Sequence, residues 1–325
     1  MKDIQLCGIG NGLVDLQFKI TDEQVLNYGM NKGEMRLIDL TERKKLNQYF
    51  SSVESIQCSG GSAANSIIAF SQLGGKSAYS TVLGNDNLGK FYANEFKDLG
   101  IILNAEFKDN YPTGTCFVFI TPDSERTMLT SLEATAFFGK DNIDEKIIAR
   151  SEWIYIEGYK LTQEASTEAI FKAIELAKKH HTKIAFTVSD VFIIDTFRAN
   201  VNKIMEECDL VFCNENEAKS LSNTDNFNDA SESLSKSLKN VVITKGAEGA
   251  TIYWDGKRYD FNSLPTTPID TTGAGDMYAG AFFYGILVRQ DIEFAGKLAS
   301  ICASKIVSQF GARMNEDLKE FIKLV

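Results

Sequence analysis

The segment Asp-Thr-Thr-Gly-Ala-Gly-Asp at residues 270–276 contains the residues best suited to chemistry. Small residues at Gly273, Ala274 and Gly275 let backbone amides approach a ligand closely. An apolar stretch that predicts a helix follows, and a helix amino terminus favours an anion, above all a phosphate. Asp276 could therefore accept the proton of an attacking hydroxyl while the amides stabilise charge on a transferred phosphoryl group. Taken alone, this carboxylate could equally do no more than stabilise the first helical turn.

A second segment, Cys-Ser-Gly-Gly-Ser-Ala-Ala-Asn at residues 58–65, also precedes a predicted helix. Its paired glycines, Gly60 and Gly61, would let a polyhydroxylated substrate lie against the backbone. Asn65 offers an amide that could hydrogen-bond the hydroxyl groups of such a substrate. These features favour a segment that binds the acceptor of a reaction.

Asn214 and Glu217 follow a predicted buried strand. They share one face if a helix begins here. Their amide and carboxylate oxygens suit Mg²⁺, which proteins often bind through water. A helix cap is the commoner role for an asparagine in this position. The glycine turn at residues 244–250 is by itself no more than a turn.

Two other glycine-containing segments match known nucleotide-binding motifs only in part. Residues 84–91 resemble a Walker A loop, but Phe91 stands where a hydroxyl residue would bind Mg²⁺. Residues 8–13 follow a predicted strand but place Leu13 where the third glycine of a dinucleotide fingerprint belongs. The sequence therefore argues against a P-loop enzyme and against a nicotinamide oxidoreductase.

The composition narrows the function classes further. A formal net charge of -10 argues against a nucleic-acid partner, which needs a basic surface. The two histidines, His180 and His181, are adjacent, which argues against a Ser-His-Asp triad or a histidine-rich zinc site. Six scattered cysteines predict buried thiols in a reduced, cytoplasmic protein. The sequence has no signal-peptide core and no apolar run of about 18 residues, so we expect no membrane partner.

Apolar runs that predict strands alternate with helical patterns along most of the chain. Predicted strands lie at residues 4–9, 76–82, 153–156, 183–188, 210–213 and 241–244. Predicted helices lie at residues 62–73, 88–99, 163–181, 201–207, 276–288 and 292–310. We expect one α/β domain over residues 1–325, with a three-layer α/β/α arrangement around a mostly parallel sheet.

Several short strands interrupt this alternation. They are predicted at residues 13–20, 35–40, 115–120 and 127–132, the first two with a helix-poor connection and the last two as a hairpin. Inserted at about residues 13–40 and 113–133, they predict a small antiparallel β lid that would exclude water from the active-site edge. They could instead extend the main sheet. A lid with a bare sheet face could also pair with a second copy of the chain, giving a homodimer.

Six segments, in this order along the chain, resemble the PfkB family of carbohydrate and nucleoside kinases, also called the ribokinase superfamily. They lie at residues 10–15, 60–65, 84–89, 214–217, 244–249 and 270–276. The resemblance covers nearly the whole chain, and the last segment is its most specific part. It implies a ribokinase-like fold and an enzyme that phosphorylates a primary hydroxyl group of a nucleoside or sugar. It also implies ATP and Mg²⁺ as cofactors.

The resemblance assigns roles to residues on the acceptor side of the reaction. It implies that Asp276 is the catalytic base. The implied anion hole consists of Gly273, Ala274 and Gly275. The residues implied to hold the acceptor are Asp15, Gly60, Gly61 and Asn65.

The resemblance also assigns roles on the ATP side. It implies that Asn214 and Glu217 organise Mg²⁺, which they would bind through water. The residues implied to lie beside ATP are Asn214, Lys245, Gly246 and Gly249. Asp270 and Thr272 match part of a site that binds a monovalent cation in the family, so K⁺ is a further expected ligand.

The spacing between residues 10–15, 32–39 and 112–121 looks most like that of the adenosine-kinase-like branch. Arg126, on the far arm of the predicted hairpin, could reach the substrate or the transferred phosphate, or could be a surface cation at a turn. A nucleoside base would need an apolar aromatic pocket. The aromatic residues that could supply it by position, or could be plain core, are Phe18, Phe117, Phe119 and Tyr159.

Two alternatives stay open on the sequence alone. One is a sugar kinase of the ribokinase or fructokinase kind. The other is a non-catalytic regulator that binds a nucleotide or sugar on a kinase scaffold. Asp276 weighs against the regulator, since a protein without turnover has little need for that carboxylate.

Overall fold

A computed structural model describes residues 2–123 and 125–325. The strands within these ranges are β1 Ile4–Ile9, β2 Leu13–Lys19, β3 Met35–Leu37, β4 Ser55–Gly60, β5 Ser77–Gly84, β6 Ile102–Lys108, β7 Gly114–Ile120, β8 Arg126–Ser131, β9 Ser151–Glu157, β10 Lys183–Thr187, β11 Leu210–Asn214, β12 Val241–Thr244, β13 Ala250–Trp254 and β14 Lys257–Phe261. The α-helices are α1 Asp22–Tyr28, α2 Leu40–Tyr49, α3 Ser62–Gln72, α4 Asn87–Asp98, α5 Glu145–Arg150, α6 Glu164–Lys179, α7 Val191–Met205, α8 Glu215–Ser222, α9 Phe227–Ser237, α10 Ala274–Tyr284 and α11 Ile292–Ile306.

The larger sheet has the strand order β14-β13-β12-β11-β10-β9-β1-β5-β6 over the described residues. The strands from β12 to β6 are parallel, and β13 and β14 extend the sheet antiparallel. Successive side chains of β9 point into opposite layers. Trp153 and Tyr155 pack with α3, α10 and α11, whereas Ile154 and Ile156 pack with α5, α6 and α7. Helices therefore cover both faces, and the predicted three-layer fold class is confirmed.

The smaller sheet has the strand order β3-β8-β7-β2-β4 over the same residues. β2 pairs with β4 and β7 pairs with β8 antiparallel, whereas the β2–β7 and β3–β8 pairs are parallel. One face packs against α1 and α2, with Phe18, Phe117 and Phe119 in the shared core. The opposite face carries Asp15, which pairs in register with Cys58 and Cys116. A homodimer through this sheet stays a prediction.

The connection between β2 and β3 is not helix-poor as predicted, because α1 lies within it. Thr21 and Gln24 form a capping box at the start of this helix, and Gly29 ends it in the left-handed conformation with φ 80°. β4 also joins the small sheet, although it falls outside both predicted lid segments. The small sheet therefore draws on three parts of the chain.

Other predicted boundaries differ from those observed. α7 begins at Val191 rather than at residue 201, and α11 ends at Ile306 rather than at residue 310. α10 begins two residues before Asp276 and continues as a π-helical turn at Gly285–Arg289. β6, β13 and β14 lie where no strand is predicted, at the two edges of the larger sheet.

The six cysteines are free and buried, as the sequence predicts. Cys58 and Cys116 lie opposite Asp15 in the registers of β4 and β7, so all three side chains share one face of the small sheet. Over residues 2–123 and 125–325, no helix is long and apolar enough to cross a lipid bilayer.

Candidate active site

The amino terminus of α10 presents backbone amides to the cleft. Gly273 caps the helix in the left-handed conformation with φ 73°, and a Cβ there would lie 2.9 Å from the Cβ of Ala312. Within the part of the chain that the structure describes, the amides of Gly275 and Asp276 have no hydrogen-bond acceptor. These N–H groups and the helix dipole together favour an anion at this point.

Two side chains from the start of α3 hold the Asp276 carboxylate. Ser62 Oγ donates a hydrogen bond to Oδ1 at 2.6 Å, and Asn65 Nδ2 donates one to Oδ2 at 2.9 Å. The helices approach this closely because Gly280 of α10 faces α3, where a Cβ would lie 2.4 Å from the carbonyl oxygen of Ser66. The two segments singled out first in the sequence therefore meet at one carboxylate.

The environment of Asp276 makes it a stronger base than an exposed aspartate. Burial raises the pKa of Asp276, although part of the side chain still faces the cleft. The hydrogen bonds from Ser62 and Asn65 lower this pKa, as do the charges of Arg126 and Arg313. A carboxylate with a raised pKa suits proton removal from a hydroxyl group near neutral pH.

Arg126, at the start of β8, lies on the same side of the small sheet as the candidate site. Its positive charge is close enough to lower the pKa of both Asp276 and Cys116. Among the described residues, its guanidinium has no hydrogen-bond or ion-pair partner. A half-buried guanidinium in this situation can bind a phosphate or a substrate oxygen.

Asp15 of β2 lies against the paired glycines at the end of β4. A Cβ at Gly60 would lie 2.1 Å from Asp15 Oδ1, and a Cβ at Gly61 would lie 2.3 Å from the carbonyl oxygen of Asn11. Gly61 also has φ 104°, so glycine is required at both positions. Burial raises the pKa of Asp15 to about 7, with Arg313 acting against it. Near neutral pH this carboxyl group can therefore both accept and donate hydrogen bonds.

Asn214 and Glu217 form a capping box at the start of α8. The Glu217 amide donates to Asn214 Oδ1 at 2.9 Å, and the Asn214 amide donates to Glu217 Oε2 at 3.0 Å. Asn214 Nδ2 also donates to Glu217 Oε1 at 2.6 Å. Burial raises the pKa of Glu217 to about 7. The helix cap is therefore present, and a role with Mg²⁺ would be additional to it.

The turn after β12 lies beside Asn214, because Asn214 and Thr244 are paired in register. The Lys245 amide donates to the carbonyl oxygen of Gly249 at 2.7 Å, which closes the turn. Gly249 has φ 85°, and a Cβ there would lie 1.9 Å from the carbonyl oxygen of Phe261. Gly246 likewise has positive φ, at 56°. Both glycines are therefore needed for the conformation of this turn.

Asp270 is fully buried and fixes the loop that leads to α10. Its Oδ1 accepts hydrogen bonds from the Thr272 amide at 2.8 Å and from Thr272 Oγ1 at 2.5 Å. Its Oδ2 accepts from the Gly311 amide at 2.9 Å. Asp270 therefore connects its own loop to the loop at Gly311, which accounts for a buried aspartate here. A K⁺ site at Asp270 and Thr272 stays a prediction.

Sequence reasoning missed three side chains at this site: Ser62, Glu157 and Arg313. Ser62 directly follows the paired glycines, so its position was a usable signal. Glu157 ends β9, and the carboxyl ends of parallel strands are where ligands bind in such sheets. Arg313 follows the last α-helix, and nothing in its local sequence indicates that it returns to Asn65.

Glu157 and Lys160 form a buried polar cluster around Asn11. Glu157 Oε1 accepts from Asn11 Nδ2 at 2.8 Å, and its Oε2 accepts from the Ala63 amide at 3.0 Å. Lys160 Nζ donates to Asn11 Oδ1 at 3.0 Å and to the carbonyl oxygen of Thr135 at 2.9 Å. Burial raises the pKa of Glu157 and lowers that of Lys160. The cluster fixes the first turn of α3, on which Ser62 and Asn65 lie.

Replacing Glu157 by glutamine is expected to lower the free energy of unfolding by about 1–3 kcal/mol. The glutamine NH₂ group would face the amide of Ala63 or the NH₂ group of Asn11, so one buried donor would lose its acceptor. Urea unfolding followed by circular dichroism measures the change. The exposed Glu232→Gln is a matched control, since it removes only a surface ion pair with Lys236. Equal stability of the two variants would contradict the prediction.

The aromatic residues considered for a nucleoside pocket lie elsewhere. Phe18, Phe117 and Phe119 pack under α1 and α2, on the face of the small sheet away from Asp15, and are plain core. Tyr159 lies near the ends of β9 and β10, and its hydroxyl donates to Asp190 Oδ2 at 3.4 Å. The three phenylalanines therefore do not supply a base-binding pocket.

Comparisons with known proteins agree with the arrangement of these elements. The pfkB family carbohydrate kinase description matches residues 33–318. The chain is 30% identical over 307 residues to a 5-dehydro-2-deoxygluconokinase of Clostridium perfringens, with 87% of each protein covered. Its structure is similar to that of a probable sugar kinase from Rhizobium etli, with a TM-score of 0.93, 31% identity, and 100% of this chain and 99% of the other covered.

An adenosine kinase from Sinorhizobium meliloti is similarly close, with a TM-score of 0.93, 29% identity, and 100% of this chain and 99% of the other covered. The relatives thus include named sugar kinases and a named adenosine kinase, and both kinds support kinase activity in this chain. The match to the family covers most of the sequence, including both segments that meet at Asp276. The chain therefore belongs to the pfkB family of carbohydrate kinases.

Proposed function

We propose that this kinase transfers the γ-phosphoryl group of ATP to a primary hydroxyl group of a nucleoside or sugar, with Asp276 as the base. The observation that carries the proposal is the position of Asp276. Its carboxylate, with a raised pKa, stands at a helix amino terminus whose neighbouring amides are unpaired within the described residues. A base and an anion hole at one place are what phosphoryl transfer to a hydroxyl group needs.

The acceptor would lie between α3 and the small sheet. Asp15 and Asn65 would hold its hydroxyl groups, and the glycines at 60 and 61 would let it approach the backbone. The acceptor hydroxyl would take the place beside Asp276 Oδ1 that Ser62 Oγ holds at 2.6 Å. In this proposal the small sheet is the lid, and it keeps water away from the phosphoryl group during transfer.

ATP would lie along the carboxyl ends of β11 and β12. Asn214 and the turn of Lys245, Gly246 and Gly249 are neighbours there. The donor set fits Mg²⁺, because the carboxylate and amide oxygens of Glu217 and Asn214 keep lone pairs for bound water. When bound, Mg²⁺ supplies neutralisation of charge on the phosphates.

The acceptor has two candidate classes. The adenosine kinase relative supports a nucleoside such as adenosine. A sugar is the second candidate, and it is supported by the 5-dehydro-2-deoxygluconokinase relative and by Phe18, Phe117 and Phe119, whose rings point away from Asp15. The face around Asp15 carries polar and thiol side chains, which suit hydroxyl groups better than a flat base.

The test is ADP release from ATP and Mg²⁺ against a panel of nucleosides and sugars, including adenosine and 5-dehydro-2-deoxygluconate. One acceptor class should give turnover well above the acceptor-free rate, with a phosphorylated product visible by mass spectrometry. Thermal shifts with the same ligands provide a parallel readout. Ligand-induced stabilisation without turnover of any acceptor would favour the non-catalytic regulator and overturn the proposal.

Replacing Glu217 by glutamine is expected to raise the Mg²⁺ concentration for half-maximal rate about tenfold. Glutamine keeps a capping oxygen but removes the negative charge that would attract the cation. The measurement is initial rate against Mg²⁺ at fixed ATP, together with the melting temperature. Glu215→Gln, two residues earlier on α8 and paired with Lys219, is the matched control. The same Mg²⁺ dependence in both variants would exclude Glu217 from the cation site.

A further inference from the structure

Arg313 reaches back to the candidate site from the segment that follows α11. Its Nη1 donates to Asn65 Oδ1 at 2.6 Å, and its Nη2 donates to the carbonyl oxygen of Ser59. Its Nε donates to Glu95 Oε1 at 3.4 Å. The side chains of Arg313 and Glu95 are 18% and 25% exposed, so this ion pair is largely shielded from solvent. One guanidinium thus joins α3, α4 and β4.

The orientation of the Asn65 amide depends on its two partners. A guanidinium is only a donor and a carboxylate is only an acceptor. Arg313 therefore holds the oxygen of the amide on its own side, which leaves Nδ2 to donate to Asp276. With the amide reversed, oxygen would face oxygen at Asp276 and N–H would face N–H at Arg313. Without Arg313, only one of these two constraints would remain.

The guanidinium is itself fixed by its bonds to Glu95 and Ser59. Glu95 Oε1 accepts from Arg313 Nε, while Glu95 Oε2 accepts from the Ser59 amide at 3.0 Å. Ser59 in turn offers its carbonyl oxygen to Arg313. The planar fork of an arginine suits such a set of directed bonds, whereas a lysine ammonium does not.

From these contacts we infer that Arg313 is a positioning residue for catalysis, which acts on Asp276 through the Asn65 amide and through its own positive charge. The inference rests on the proposed role of Asp276 as the base. It extends that role because Arg313 need not touch the acceptor or the phosphoryl group.

The charges around the carboxylates support this role. The charge of Arg313 lowers the pKa of both Asp15 and Asp276, against the effect of burial. The titratable or charged groups that act on one or both of these aspartates are Arg126 of β8, Glu95 of α4, Glu157 of β9, Arg313, and Asp276 itself, which acts on Asp15. Carboxylates already outnumber cations here, so loss of Arg313 increases the excess of negative charge, and the pKa of Asp276 should rise further.

The kinetic test compares wild type, Arg313→Gln and Arg313→Lys. We expect kcat of Arg313→Gln to fall about 10–100-fold, and the acidic limb of its pH profile to move to higher pH. Arg313→Lys retains the charge but not the fork, so its limb should stay near that of wild type while kcat still falls. Arg150→Gln, which removes a surface pair with Asp3, is the control and should behave as wild type.

A double-mutant cycle separates positioning from general destabilisation. If Arg313 acts through Asn65, Arg313→Gln should lower kcat much less in an Asn65→Ala background than in wild type. Unchanged kcat and an unchanged acidic limb in Arg313→Gln, with only a lower melting temperature, would overturn the inference. Independent, additive effects of the two substitutions would overturn the route through Asn65.

A titration followed by ¹³C NMR of the aspartate carboxyl groups tests Arg313 without turnover. The Asp276 signal is the one lost in Asp276→Asn, and its apparent pKa should be higher in Arg313→Gln than in wild type. An equal pKa in the two proteins would contradict the inference. Failure of wild type to phosphorylate any acceptor would instead contradict the proposed function, so the two outcomes are distinguishable.

Discussion

Replacing Asp276 by asparagine is expected to lower kcat for phosphoryl transfer about 10²–10⁴-fold. Asparagine has nearly the same shape and can still accept the hydrogen bond from Asn65, but its amide cannot take the proton of the attacking hydroxyl. Affinity for ATP should change little, because the anion hole is made of backbone. ADP release with a productive acceptor measures kcat, and ligand-induced thermal shifts measure binding.

The pH profile gives a second readout for Asp276. The base must be ionised, so the rate of wild type should fall as pH decreases through the pKa of Asp276, which burial raises above its ordinary value. Asp276→Asn should lack this acidic limb. Asp291→Asn is the matched control, since Asp291 caps the neighbouring helix α11 and asparagine caps equally well. If Asp276→Asn turned over at the rate of this control, Asp276 would not be the base.

Replacing Arg126 by glutamine should lower kcat about 10³-fold if its guanidinium stabilises the transferred phosphoryl group. Arg126 has no ion-pair partner among the described residues, so its charge is not neutralised by the protein itself. If it instead holds the ground-state acceptor, KM should rise while kcat stays the same. We expect the effect on kcat, because Arg126 is close enough to Asp276 to lower its pKa.

Arg126→Lys refines this prediction, because lysine keeps the charge without the planar fork and should recover only part of the rate. Arg258→Gln is the control, since Arg258 lies on the edge strand β14 and pairs with Asp260. Full activity in Arg126→Gln would show that Arg126 is only a surface cation near a turn. Steady-state kinetics with both substrates varied measures kcat and KM.

The sequence was the better guide to structural features formed by residues that are close together along the chain. The helix start beside Asp276 and the helix cap at Asn214 are local features, and both are present. Thr21 with Gln24, followed by Gly29, is an equally local helix signal that the sequence reasoning overlooked. Asp255-Gly256, between β13 and β14, is likewise a typical hairpin turn and would have predicted that strand pair.

Contacts between distant parts of the chain were not predictable in the same way. Ser62 and Asp276 meet only because α3 and α10 pack closely at Gly280. Arg313 reaches Asn65 only because the segment after α11 folds back, and Gly311 is tied to Asp270 there. The aromatic residues of β2 and β7 point away from the site because α1 and α2 lie on that face. These outcomes depend on packing directions that residue spacing does not record.

Cys58 and Cys116 lie beside Asp15, so the rate at which a thiol reagent alkylates them would report any opening of the small sheet. Cys58 and Cys116 are each 7% exposed, and burial raises the pKa of the Cys58 thiol to about 12, so alkylation of the closed protein is slow. Cys7 and Cys302 belong to the layers of the larger sheet and should react only on global unfolding. The difference between these two labelling rates separates local opening from unfolding, and a bound acceptor should slow the labelling of Cys58 and Cys116.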